Sequence, residues 1–314
     1  MSVGLSSTRE VETRLNVAAQ RRNFSMAGTI AVQAFNKAES VLGTLDSIAR
    51  SRGSNNYGLV ILQDGCSGSP RTEKYRAAWA ETTQAIESWI SMNTDHFSSV
   101  SFDRADRNNG PYRTAERLIT WALEKRNSVI FSEDDVIFEY DAVEWFERAL
   151  GHSMFLRPIV WAIASESRFF DSYRHVPSDA DVCRALEVAQ AQSLIDRFAY
   201  FDFLPSSCFA TTREKWAEFG KTRGATNGDR AVVERCRIEG KLCLWPVIAR
   251  CRDTGMHHPL GYSVRWKGPD HVAFKNSYVV SGMLKAASEE LSELSCEKEA
   301  LLAEFTRSWE LLNA

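Results

Sequence analysis

Glu133, Asp134 and Asp135 stand directly after the apolar run Val129-Ile130-Phe131, inside the stretch N-S-V-I-F-S-E-D-D-V-I-F-E-Y that spans Asn127–Tyr140. A short continuous apolar run suits a strand buried on both faces of a sheet. Ligands of open α/β sheets sit beyond the carboxyl ends of the strands, so three successive carboxylates at such an end are placed for chemistry. They repel one another unless a cation or paired bases neutralise them. A hard divalent metal, bound through oxygen and shared with a phosphate, is the simplest neutraliser. A structural reading stands beside this one. Apolar residues at 138, 142, 143, 146, 149 and 150 predict a helix over Val136–Leu150, and acids are favoured at a helix N-terminus by its dipole.

The elements that would position this triplet follow from periodicity. Thr29–Phe35 reads as a first buried strand, and Asn36 as the cap of a helix with Val41, Leu42, Leu45, Ile48 and Ala49 on one face. Gly58–Leu62 is a second strand, ending in the polar turn Gln63–Gly68, with Pro70 opening a long helix to about Ile90. Phe97–Phe102 is a third strand, and Arg113–Lys125 a helix with Ala115, Leu118, Ile119 and Ala122 inward. Alternation of this kind argues for a parallel, doubly wound sheet. It delivers Phe35-Asn36, Asp64-Gly65, Arg107–Gly110 and Glu133–Asp135 to one edge.

Beyond residue 150 the pattern changes. Ile159–Ala164, Leu204–Thr212 and Leu242–Ala249 read as strands. Cys183–Phe198 and the segment around Trp216 and Phe219 read as helices, and a helix starting at Asp229 ends at the C-cap Gly240. Trp161, Phe169, Tyr173 and Trp266 suit either sugar stacking or packing. In the tail, Leu284, Leu291, Phe305 and Leu312 with Ala287, Leu294 and Leu301 form a heptad stripe, interrupted by Lys298. Such a stripe serves docking on the chain's own domain or homo-oligomerisation. The expected division is an N-terminal arm over 1–28, a main domain over 29–276 whose halves meet near 150, and a helical tail over 277–314.

Composition narrows the class. With 38 basic and 41 acidic residues the net charge is −3, which does not suit a general nucleic-acid binder. No apolar run reaches the ~18 residues of a membrane span. Seven cysteines without CxxC spacing suit reduced thiols in a cytoplasmic protein.

In order and spacing, Val32-Gln33-Ala34-Phe35-Asn36, Leu62-Gln63-Asp64-Gly65 and Glu133-Asp134-Asp135 resemble the GT-A glycosyltransferases, of the inverting N-acetylglucosaminyltransferase I type and of family 2. Ser206–Trp216 is similar to that family's acceptor-side strand and helix, Gly228-Asp229-Arg230 to its catalytic-base helix, and Arg250–Gly261 to its late histidine segment. The resemblance covers about residues 29–262. It implies an α/β, Rossmann-like, mostly parallel sheet with flanking helices. It also implies an inverting, metal-dependent transfer from a nucleotide-diphosphate sugar, a UDP-sugar, to a carbohydrate or glycoconjugate hydroxyl. In that picture Asp135 ligates Mn²⁺ or Mg²⁺, with His257 or His258 completing the shell or contacting the diphosphate. Asp134 and Glu133 face ribose or donor sugar, Asp64 takes the nucleobase, and Ala34 and Phe35 line the base pocket. Arg113 is preferred over Arg107 and Arg117 near the diphosphate, and Asp229 is the general base. A nucleotidyltransferase and a non-catalytic scaffold joined through its tail are the competing readings.

Overall fold

The computed structural model describes residues 28–165 except 69, residues 197–219 except 202, 203, 205 and 206, residues 234–255 except 235, 237 and 247, and residues 292–293. Four parallel strands form its first half: β1 (Thr29–Ala34), β2 (Gly58–Gln63), β3 (Ser99–Arg104) and β4 (Ser128–Ser132), in the spatial order β4-β1-β2-β3. Between them run helices α1 (Ala38–Arg50), α2 (Arg76–Asn93) and α3 (Pro111–Lys125). Burial of both faces explains the unbroken apolar runs. Ile30 and Val32 pack with Val41, Leu45 and Ile48 of α1, whereas the alternate residue Ala31, equally buried, faces the other side. That other side is covered by α3, through Ala115, Leu118, Ile119 and Ala122.

The second half extends the same sheet with mixed directions. β6 (Val160–Ala164), β7 (Arg197–Phe201), β8 (Cys208–Thr212), β9 (Leu242–Pro246) and the two-residue β11 (Ser292–Glu293) complete the order β11-β7-β9-β6-β8-β4-β1-β2-β3. β8 is inserted antiparallel between β4 and β6, and β7 lies antiparallel to β9. Phe209 of β8 joins Phe131 (5.4 Å between ring centroids), Trp161 (6.1 Å) and Trp216 (6.5 Å) in an aromatic cluster. Trp216 belongs to helix α5 (Arg213–Phe219). Trp161 is thus a core residue, which removes it from the sugar-stacking candidates. Gly240 adopts φ 63° and the Lys241 N–H donates to the Cys236 carbonyl at 2.8 Å, a glycine-terminated helix end as expected. All five cysteines among the described residues are buried.

Several expectations are corrected. The segment after the acids is not one helix. Val136–Phe138 is strand β5, paired antiparallel with β10 (Cys251–Asp253), and helix α4 begins only at Ala142 and ends at Leu150. Valine, isoleucine and phenylalanine suit a pleated, half-buried surface, and a partner strand overrides the helical spacing. The acids therefore precede a strand, and the helix-dipole reading of the triplet fails. The residue before α1 is Lys37, with no side-chain cap, so Asn36 is not the cap. The long helix from Pro70 is a single turn, Pro70–Glu73, followed by α2. Phe198 lies in β7, and the strand from Leu242 stops at Pro246, a residue without an N–H to donate.

The tail falls outside the described residues except at Ser292 and Glu293. These two form β11, parallel to Arg197 and Phe198. An exposed strand edge offers unpaired N–H and C=O groups that extended chain satisfies. The pair is extended, not helical, and it falls between the heptad positions Leu291 and Leu294. The N-terminal arm, apart from Gly28, also lies outside the described residues. Among the described residues no helix is long and apolar enough to cross a membrane.

A buried ion pair joins the two halves. Arg250, fully buried, pairs with Asp141 at 3.2 Å, donates from Nη1 to the Ile248 carbonyl at 2.6 Å, and lies 5.7 Å from the Trp145 ring centroid. Its backbone N–H donates to the Ser165 carbonyl (2.8 Å), and its carbonyl accepts the Glu139 N–H (3.0 Å). Removing one partner of a buried pair costs about 3–5 kcal/mol, while replacing both by apolar groups is far cheaper. Urea unfolding of Arg250→Met should show a loss in that range, mostly recovered in Arg250→Met/Asp141→Leu. A loss below about 1 kcal/mol for the single variant would mean the pair is not needed to hold the halves together.

Candidate active site

Strand order decides where a ligand can sit. From β1 the chain moves to β2 and β3 on one side, then crosses to β4 on the other. The carboxyl ends of β1 and β4 therefore flank the topological switch point, the crevice in which open α/β sheets bind ligands. Phe35-Asn36-Lys37 leaves β1 there, and Glu133-Asp134-Asp135 leaves β4.

Lys37 ties these loops together. Its Nζ lies 2.7 Å from Asp134 Oδ1 and also bonds Asp135 Oδ2. The Phe35 N–H donates to the other Asp134 oxygen at 3.2 Å. Both aspartates are buried, at 6% and 7% exposure. Burial works to lower the pKa of the Lys37 ammonium, but the two carboxylates hold it above its ordinary value. Asp135 Oδ1 is buried and has no hydrogen-bond partner among the described residues. Glu133 is half-buried, and its N–H donates to the Ser207 carbonyl at 2.8 Å.

The β5–β10 pairing seals the far side of Asp135. Both the N–H (2.7 Å) and the hydroxyl (2.8 Å) of Thr254 donate to the Asp135 carbonyl. Next comes Gly255, whose N–H is held by Asp253 Oδ1 at 2.8 Å. A Cβ at Gly255 would lie 1.9 Å from Asp135 Oδ2, so only glycine fits against the carboxylate.

On the other side of β1, Asp64 is enclosed by its neighbours. Its backbone N–H donates to the Ala34 carbonyl at 2.9 Å, which places it one strand from Phe35. Its carboxylate accepts from the Gly65 N–H (3.0 Å), Asn108 Nδ2 (2.9 Å), the Asn109 N–H (2.9 Å) and Nδ2 (3.2 Å), and the Gly110 N–H (3.0 Å). Burial pushes the Asp64 carboxyl up, and the Asn109 and Gly110 donors pull against that. The loop after β3 is thereby folded onto the loop after β2. Gly65 makes this approach possible, since a Cβ there would lie 2.5 Å from the Arg107 carbonyl carbon. Ala34 is buried, while Phe35 is half-buried and meets Tyr75 edge-on at 6.1 Å. Beneath them Gln63 donates to the carbonyls of Phe35 and Trp79, each at 2.9 Å, and accepts the Thr83 hydroxyl at 2.7 Å.

The structure thus brings together Ala34, Phe35, Asp64, Asp134 and Asp135. Arg113 is elsewhere. It is exposed and lines a groove of about 650 Å³ along the outer face of α3, with Asp103, Glu116, Trp121 and Glu124. Arg117 in the same groove pairs with Asp103 at 3.0 Å. Asp229, His257 and His258 lie outside the described residues. Lys37, Gln63 and Gly255 are the members that sequence reasoning missed. Lys37 carried a usable signal, since a basic residue just after β1 must face whatever follows the strand on the other side of the switch point.

No protein-family model matches the chain, and no curated protein matches its sequence. Among solved structures the chain is similar to S. aureus TarS, a glycosyltransferase, with a TM-score of 0.42 and 12% identity, over 70% of this chain and 35% of that one. At these values no residue's role passes from that protein to this chain.

The donors around Asp64 make a direct test. In Asp64→Ala they lose their common acceptor, and a buried donor left unmade costs about 1–3 kcal/mol. Amide hydrogen exchange at Asn109 and Gly110 should accelerate at least about tenfold, the equivalent of 1.4 kcal/mol. Unchanged protection at both amides would show that the carboxylate does not hold the loop.

Proposed function

We propose that this protein is a glycosyltransferase that moves a sugar from a nucleotide-diphosphate sugar, most readily a UDP-sugar, to a carbohydrate hydroxyl with inversion. The observation that carries the reading is the convergence of Phe35–Lys37 with the buried Asp134 and Asp135 at the switch point, where Asp135 Oδ1 has no partner among the described residues. The order of motifs along the chain, which resembles the GT-A enzymes, supports the same reading.

The donor atoms fit a divalent cation of the Mn²⁺ or Mg²⁺ kind, because Asp135 Oδ1 is buried without a partner among the described residues and oxygen ligands suit hard cations. Among the described residues no third His, Cys, Asp or Glu joins this pair; His257 or His258 is the further ligand that the resemblance to the GT-A enzymes implies. When bound, such a cation stabilises negative charge building on the departing diphosphate. The chain's own residues do the rest. Ala34 and Phe35, with Tyr75, wall the base pocket. Asp64, its carboxylate taken up by the amide donors of Asn108–Gly110, shapes that pocket by holding them beside it. Asp134 and Glu133 orient ribose and donor sugar. Asp229 accepts the proton of the acceptor hydroxyl as its oxygen attacks the anomeric carbon. A nucleotidyltransferase would want a glycine-rich phosphate cradle after β1, and Phe35-Asn36-Lys37 contains no glycine.

Two substitutions separate binding from chemistry. Asp135→Asn changes one oxygen, so the fold should persist while Mn²⁺-dependent binding of UDP disappears in calorimetry. Unaltered affinity with metal present would remove Asp135 from the cation site. Asp229→Asn should leave Mn²⁺ and UDP affinity intact and lower transfer to a validated acceptor by ~10²–10⁴, the usual contribution of a general base. Near-normal transfer by that variant would place the base elsewhere and take away the support for inversion.

A further inference from the structure

We infer that Lys37 is a built-in counter-ion that makes cation binding at Asp135 conditional on a nucleoside diphosphate. The inference rests on the glycosyltransferase reading for the identity of the anion. The Lys37 ammonium sits on both carboxylates, 2.7 Å from Asp134 Oδ1 and in contact with Asp135 Oδ2. It supplies one of the two positive charges that the buried acids require. A divalent cation on Asp135 Oδ1 would share one carboxylate with that ammonium, and the two positive charges repel at such a separation.

The position of Lys37 in the fold says what relieves the repulsion. It stands immediately before α1, a helix of 13 residues with no side-chain cap at its N-terminus. The positive end of a helix dipole disfavours a cation, so the ammonium is held there by the two carboxylates against the local field. The same uncapped N–H groups favour an anion. A diphosphate arriving at the switch point would therefore gain the helix end and the Lys37 ammonium together, and would free the face of Asp135 for the metal. Metal and diphosphate then bind as a coupled pair, each weak alone. By thermodynamic reciprocity, the metal tightens the diphosphate by the same factor.

The test reads binding, not turnover. Mn²⁺ affinity is measured by electron paramagnetic resonance for the full chain, alone and with saturating UDP, in the wild type, Lys37→Met and Lys37→Gln, with circular dichroism reporting the fold. Wild-type Mn²⁺ affinity should rise at least about tenfold with UDP, whereas folded Lys37→Met should bind Mn²⁺ alone about tenfold tighter and gain less than about threefold from UDP, against a usual coupling range of ~5–150-fold. Lys37→Gln should follow Lys37→Met. The inference is overturned if a folded Lys37 variant binds Mn²⁺ alone no more tightly than the wild type. It is equally overturned if wild-type protein that demonstrably binds UDP shows the same Mn²⁺ affinity with and without it, a measurement that needs no variant. Should no form bind UDP under any condition, the glycosyltransferase reading falls instead, and the comparison in Mn²⁺ alone still decides the role of Lys37.

Discussion

The bridge from Lys37 to Asp134 and Asp135 is the interaction on which the switch point depends. A carboxylate taken out of water without a partner is costly enough that it protonates instead, and here two adjacent aspartates are buried side by side. No helix begins after them, so no macrodipole helps. One ammonium bonds both, and it is in reach because β1 and β4 are parallel neighbours in register from Thr29↔Val129 to Val32↔Ser132. The strand pairing sets the ion pair, and the ion pair in turn holds the loop after β1 against the loop after β4.

Four buried acids near the site are held by three different chemistries. Asp134 and Asp135 share an ammonium, Asp64 collects amide N–H groups from two loops, and Asp141 meets a guanidinium that also lies against Trp145. These devices differ in what they leave available. The ring of donors around Asp64 fastens one loop to another, and the Arg250 pair fastens the two halves. The Lys37 bridge, by contrast, leaves Asp135 Oδ1 without a partner among the described residues, and a buried oxygen with unused capacity is what a ligand site requires.

The mixed sheet divides the labour in a similar way. Its parallel half supplies loops at one edge, as βα repeats must. The antiparallel strand β8 extends the platform beyond β4, and Ser207 at its start receives the Glu133 N–H. The small β5–β10 pair then carries Thr254 and Gly255 back to Asp135 from the far end of the domain. Residues from three distant parts of the chain therefore meet around the Glu133–Asp135 backbone and the Asp135 carboxylate.

Local periodicity was enough to place β1 to β4, helices α1 and α3, and the convergence of their polar ends. Those features depend on which face of a strand or helix is apolar, and that is written within a dozen residues. The motif order also carried Ala34, Phe35, Asp64, Asp134 and Asp135 to one edge correctly. What the sequence by itself could not decide were the partners. Val136–Phe138 has helical spacing with the residues that follow, yet it pairs with Cys251–Asp253, and Asp135 is bonded to Thr254 from 119 positions away. Lys37 finds Asp135 across 98 positions, and Asp64 finds Asn109 across 45. Burial of charge is resolved by whichever opposite charge or donor the fold delivers, and only the order of strands in space makes that delivery.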